Sequence, residues 1–145
     1  MRKLLIGAAA LAIASWSLPA MAQDSSVKPG SMWQANRIYV EDGQFENYMD
    51  WLTKTWMAQQ EFAKSQGWML EYHILTSVNP RDGEPNVILL TRFNDFPSGA
   101  ESERRNALMN QHMQQTDRTA DAASGDRTKM RKIMGSVLYQ EMVKR

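Results

Sequence analysis

His73 stands two residues after Glu71 in a stretch that alternates along its length, and it is one of only two histidines in the chain. On an extended strand that spacing puts both side chains on one face, roughly 7 Å apart. The carboxylate could then orient the imidazole, making His73 a general base or proton donor steered by Glu71. The plainer role is a strand-surface histidine bonded to its neighbour, and the lack of a nucleophile or metal partner nearby favours it. The second histidine, His112, lies between Gln111 and Met113 in a polar helical stretch and reads as solvated. With no cysteine, no His-x-x-x-His and no Glu-x-x-His pairing, neither histidine has the company a metal ion needs, and no metal site is expected. The scattered methionines read as adaptable core filling.

Six further side chains have polar tips or aromatic faces suited to holding a ligand: Arg37, Tyr39, Tyr48, Trp56, Tyr72 and Arg92. They are expected to point from strands or the first helix into a cavity between sheet and helix, where a small aromatic or apolar molecule would bind. The competing role for each ring is to fill the core with its polar atom satisfied locally. A third cluster is electrostatic. Residues 126–145 hold six basic and two acidic side chains, among them Arg127, Lys129, Arg131 and Lys132. A solvated helix face is the expectation there, and contact with an anion or an acidic lipid the alternative.

These side chains need elements to position them. Met32 to Glu41 is rich in strand formers, with Trp33 and Tyr39 on one face. After Asp42-Gly43, apolar residues from Phe45 to Ala63 recur at three- and four-residue steps, which predicts a long amphipathic helix ended by Gly67. Trp68 to Val78 alternates strictly, placing Leu70, Tyr72 and Ile74 on one face and Glu71, His73 and Leu75 on the other. The turn-rich segment Asn79 to Pro85 joins it to a third strand, Asn86 to Phe93, as an antiparallel hairpin. A mostly polar helix is expected from Ala100 to about Ala123, broken at Ser124-Gly125. A short basic helix through Ile133, ended by Gly135, and a fourth strand from Ser136 to Val143 complete the chain.

The first 22 residues differ in kind. Arg2 and Lys3 precede an uncharged apolar run, Leu4 to Trp16, and the small-x-small triplet Ala20-Met21-Ala22 follows. This is the pattern of a cleavable signal peptide, cut after Ala22. The run is too short for the ~20 residues that span a bilayer, so no stable membrane anchor is expected. The destination is the periplasm or the medium. Loss of Arg2 and Lys3 takes the net charge from +1 to −1, a balance that gives no pull toward nucleic acid. Residues 23–31 read as a flexible lead-in, and 32–145 as a single domain.

The order βαββαβ is the ferredoxin-like arrangement of the α+β class, two helical segments covering one face of a four-stranded antiparallel sheet. Strands two and three carry apolar residues on both faces, so the uncovered face calls for a homodimer partner. Along its mature length the chain resembles the dimeric α+β barrel superfamily, in particular its small secreted bacterial members. The resemblance rests on the aromatic first strand, Tyr48-Met49-Asp50-Trp51 at the helix start, the run from Gly67 to Tyr72, and Gly135 to Glu141 near the end. It implies two sheets paired into a barrel. It further implies a choice among cofactor-independent monooxygenases, haem degraders, lactone isomerases and non-enzymatic binding or interaction proteins. In the monooxygenase case, Tyr, Trp, Asn and Arg side chains would hold an aromatic substrate and stabilise its anion. Asn36 could match the asparagine of the haem-degrading branch, but the third strand has Phe93 and no tryptophan, and His112 comes late in its helix. No cofactor is therefore expected.

Overall fold

The computed structural model describes residues 25–145; the leader expected over residues 1–22 lies outside them. Four antiparallel strands, β1 (Val27–Val40), β2 (Glu71–Thr76), β3 (Val87–Phe93) and β4 (Arg131–Lys144), form one sheet in the order β2-β3-β1-β4. Between β1 and β2 runs a helix in three parts, α1 (Phe45–Trp51), a π-helical turn (Leu52–Trp56) and α2 (Met57–Ser65). Between β3 and β4 come α3 (Gly99–His112), α4 (Asp117–Asp126) and a 3₁₀ turn (Arg127–Lys129). This is the expected ferredoxin-like order.

Alternation decides what each strand shows to each side. Ile38 and Val40 of β1 and Val87, Leu89 and Thr91 of β3 are buried against the helices. Tyr48, Leu52 and Trp56, four residues apart, meet them and complete the core. In a straight α-helix such a row drifts by about 40° per step. The π turn is wider than an α turn and offsets that drift, so all three rings and branches reach the sheet. Gly67, with φ +71°, ends α2 as expected. Its N–H donates to Lys64 O at 2.9 Å and that of Trp68 to Ala63 O at 3.0 Å, the double bond of a Schellman cap.

The strand and helix limits differ from the sequence expectation where partners set them. β1 begins at Val27, inside the expected lead-in, because its first residues pair with Met142–Lys144 of β4. Between these pairs Gly30 and Ser31 bulge opposite Glu141, whose carboxylate accepts from the Ser31 hydroxyl at 2.9 Å. β4 likewise begins at Arg131, where a basic helix was expected. Gly135 ends no helix: it sits in β4 at φ +104°, where the register slips between Ser136 opposite Asn36 and Ile133 opposite Ile38. The polar helix is two helices, separated at Gln114 (φ 52°) and restarted by a reciprocal Thr116–Thr119 capping box. Ser124 and Gly125 lie within α4 and break nothing.

Candidate functional site

The sheet separates the side chains that the sequence reading placed in one cavity. Because Ile38 and Val40 point inward, Arg37 and Tyr39 point to the open face, away from the helices. Arg92 joins them, in a cross-strand row that runs Glu71, Arg92, Trp33, Tyr139. Its Nε lies 2.9 Å from Glu71 Oε1, an ion-pair contact without hydrogen-bond alignment, and its guanidinium stands 5.4 Å over the Trp33 ring. Glu71 is thus held by Arg92 and not by His73, because directly opposed residues on neighbouring strands stand closer than i, i+2 residues on one strand. His73 occupies the next row, opposite Leu90, and is exposed. His73→Ala should therefore shift the unfolding free energy by no more than about 1 kcal/mol in a urea titration. A larger loss would mean that the imidazole has a partner of consequence.

Tyr48, Trp56 and Tyr72 are on the helix side. Tyr48 and Trp56 are core residues, 1% and 8% exposed, and they fill the space under α1 where a ligand cavity was expected. Burial pushes the Tyr48 phenol up, against the opposing pull of Arg131 and Arg127. Tyr72 meets Trp56 edge to face at 5.4 Å and donates its hydroxyl to Glu61 Oε1 at 2.6 Å. That bond to a carboxylate holds the phenol at about 12. Tyr72 is therefore protonated at neutral pH. Since its folded value is raised, the linked stabilisation is present below the ordinary tyrosine value of 10.0 and is lost as pH rises through about 12. An alkaline titration followed by near-ultraviolet absorbance should show a late phenolate step, absent in Tyr72→Phe.

Concave surface lies elsewhere. A cleft of about 230 Å³, between the N-terminal half of α3 and one end of the sheet, is lined by Gln34, Trp68, Met69, Thr91, Phe93, Asp95, Phe96, Pro97 and Arg105. Its walls are aromatic: Phe93 and Phe96 meet at 5.2 Å, and Trp68 packs on Phe62 at 5.6 Å. The Schellman turn sets Trp68 at its mouth. The cation is Arg105, 5.4 Å over the Trp68 ring and bound to Glu101 Oε1 at 2.7 Å. Glu101, bridged by Arg104 and Arg105, is held at about 2. Gln34 donates to Asn36 Oδ1 at 3.2 Å and Ser136 Oγ at 3.1 Å, which fixes its amide beside the cleft. Phe96 and Arg105 had no signal in the sequence, because a loop phenylalanine and one arginine of a charged helix become wall residues only when α3 docks.

A larger groove, about 730 Å³, lies between α4 and the start of β4. Among the described residues no three His, Cys, Asp or Glu side chains gather as metal ligands would.

No protein-family model matches the sequence, and no curated protein matches it significantly. Solved structures do resemble it. HapK from Hahella chejuensis aligns with a TM-score of 0.50 at 7% identity, over 76% of this chain and 91% of that one. A dimeric ferredoxin-like protein from an uncultured marine organism aligns with a TM-score of 0.48 at 16% identity, over 80% of this chain and 96% of that one. At such identities the likeness is one of fold.

Proposed function

We propose that this chain is the subunit of an exported homodimeric α+β barrel protein that binds a small aromatic or apolar molecule in the cleft between α3 and the sheet. The observation that carries the reading is the lining of that cleft: three aromatic rings, Trp68, Phe93 and Phe96, with four polar groups, Gln34, Thr91, Asp95 and Arg105. Apolar walls with a few fixed polar groups are the usual make-up of small-molecule sites. Turnover there would be cofactor-independent oxygenation or isomerisation, with Arg105, already paired with Glu101, the cation of the lining. Dimerisation follows from the open sheet face, where Trp33, Leu75, Ile88, Leu90, Val137 and Tyr139 are only partly covered. Export to the periplasm or the medium rests on the signal-peptide pattern before Gln23.

Menadione, a neutral aromatic quinone that quenches tryptophan, provides the test. Saturable quenching is expected in the wild-type protein, with at least tenfold weaker binding in Phe93→Ala and loss of most of the quenching in Trp68→Leu. Linear, unsaturable quenching would remove the cleft as an aromatic site and favour a non-enzymatic interaction protein.

A further inference from the structure

Arg131, the first residue of β4, is 6% exposed and lies beside Tyr48, its guanidinium 5.9 Å from the ring centroid. A guanidinium so buried is expected to have a carboxylate partner. Among the described residues none forms an ion pair with it. Its side-chain hydrogen bond is a long one, Nη2 to Ser124 Oγ at 3.4 Å. Arg127, beside it, is half-buried and also has no ion-pair partner among the described residues. Its Nε is buried without a partner, and its guanidinium stands 4.2 Å over Trp51, which stacks on Tyr48 at 5.6 Å. Two like charges therefore share a ladder of two rings. Burial, and then the charge of Arg131, pulls the Arg127 guanidinium below its ordinary value.

The visible compensation is too small. Each guanidinium has a ring face beside it, and Arg127 also has the C-terminal end of α4. Taking a guanidinium out of water outweighs such contacts when no carboxylate pairs with it. Arg131 also opens onto the larger groove, which Ser124, Thr128 and Lys132 line with it. The Ser124 hydroxyl accepts from Arg131 and keeps its own hydrogen to donate. Glu41 and Asp121, both exposed, line it as well, and Ala122 and Ile133 add apolar surface.

We propose that the groove between α4 and β4 binds a small, singly charged carboxylate, anchored on Arg131 and Ser124 with Lys132 at its edge. Glu41 and Asp121 select against polyanions such as phosphate, and the Ile133 wall accepts an apolar body. The site is distinct from the aromatic cleft and stands whether or not that cleft binds a ligand.

Benzoate is the probe, with benzamide as its neutral counterpart and inorganic phosphate as the polyanion. In the full mature protein with ¹⁵N-labelled arginine, benzoate should move the Arg131 Nε resonance saturably. By calorimetry it should bind at least tenfold more tightly than benzamide or phosphate. Arg131→Met should weaken benzoate at least tenfold while the melting temperature holds or rises, since the change replaces an unpaired buried charge by an apolar side chain. Lys132→Gln, on the exposed edge, should weaken it about threefold and keeps the test available if Arg131→Met does not fold. Trp68→Leu should bind benzoate as wild type does, separating this site from the cleft. An unmoved Arg131 resonance, undiminished binding in Arg131→Met, or phosphate binding more tightly than benzoate would overturn the proposal.

Discussion

Leu90→Asp should yield a folded monomer where the wild-type chain should form a dimer. Leu90 stands in the middle of the open sheet face, opposite His73 on one side and Ala35 on the other, and is partly covered in the single chain. Its neighbours Ile88, Trp33 and Val137 extend the partly covered apolar surface across three strands, and such a contiguous face marks an interaction surface. A carboxylate placed there and buried without a partner costs several kcal/mol. Dissociation should therefore become easier by at least about a hundredfold. In the isolated subunit the same carboxylate is solvated, so folding should survive. Leu75→Asp, one row further along and 45% exposed, should have the same sense and a smaller effect. Light scattering at micromolar concentration is the measurement. A monomeric wild-type protein would sink the dimer, and an intact dimer in Leu90→Asp would move the interface off this face.

On the other side of the sheet, Leu52→Ala should be among the most destabilising single truncations of an aliphatic side chain. Leu52 is 0% exposed, in the π turn between Tyr48 and Trp56. Rigid rings on both sides leave little that can relax into the space, so the full range for a buried leucine applies, about 2 to 5 kcal/mol. For a domain of this size the melting temperature should fall by roughly 10 °C or more. Chemical denaturation of wild type and variant side by side provides the check. A loss under about 1 kcal/mol would mean that the core does not close around this residue. Leu75→Ala, at an exposed position of the open face, is the control and should cost far less in the dissociated subunit.

The two variants show which of the protein's features are local. Strict alternation from Trp68 to Val78 assigns Tyr72 and Ile74 to one face and His73 and Leu75 to the other, and the structure keeps that division. Apolar residues at helical spacing from Phe45 to Ala63 announce the helix, and Gly67 announces its end, because both depend on backbone geometry within a few residues. The βαββαβ order follows from such patterns, and with it the ferredoxin-like fold.

The parts that sequence reading placed differently depend on distant residues. Val27 is strand because Lys144 lies beside it, and Gly135 marks a bulge because Asn36 and Ile38 set the register it must satisfy. The π turn answers the sheet beneath it. For the candidate sites the gap is wider. Arg37, Tyr39 and Arg92 share chemistry with Tyr48, Trp56 and Tyr72, yet a sheet one backbone thick divides them, and composition holds no record of that division. Arg131 belongs to a basic run that reads as a solvated helix face. Only the packing of Arg131 between Tyr48 and Ser124 of α4 takes its charge out of water, and desolvation is a property of the closed structure. Periodicity and turn chemistry, being short-ranged, determined the elements and their order. Pairing register and helix docking, which join residues far apart in the chain, decided which side chains meet and which charges are left without a partner.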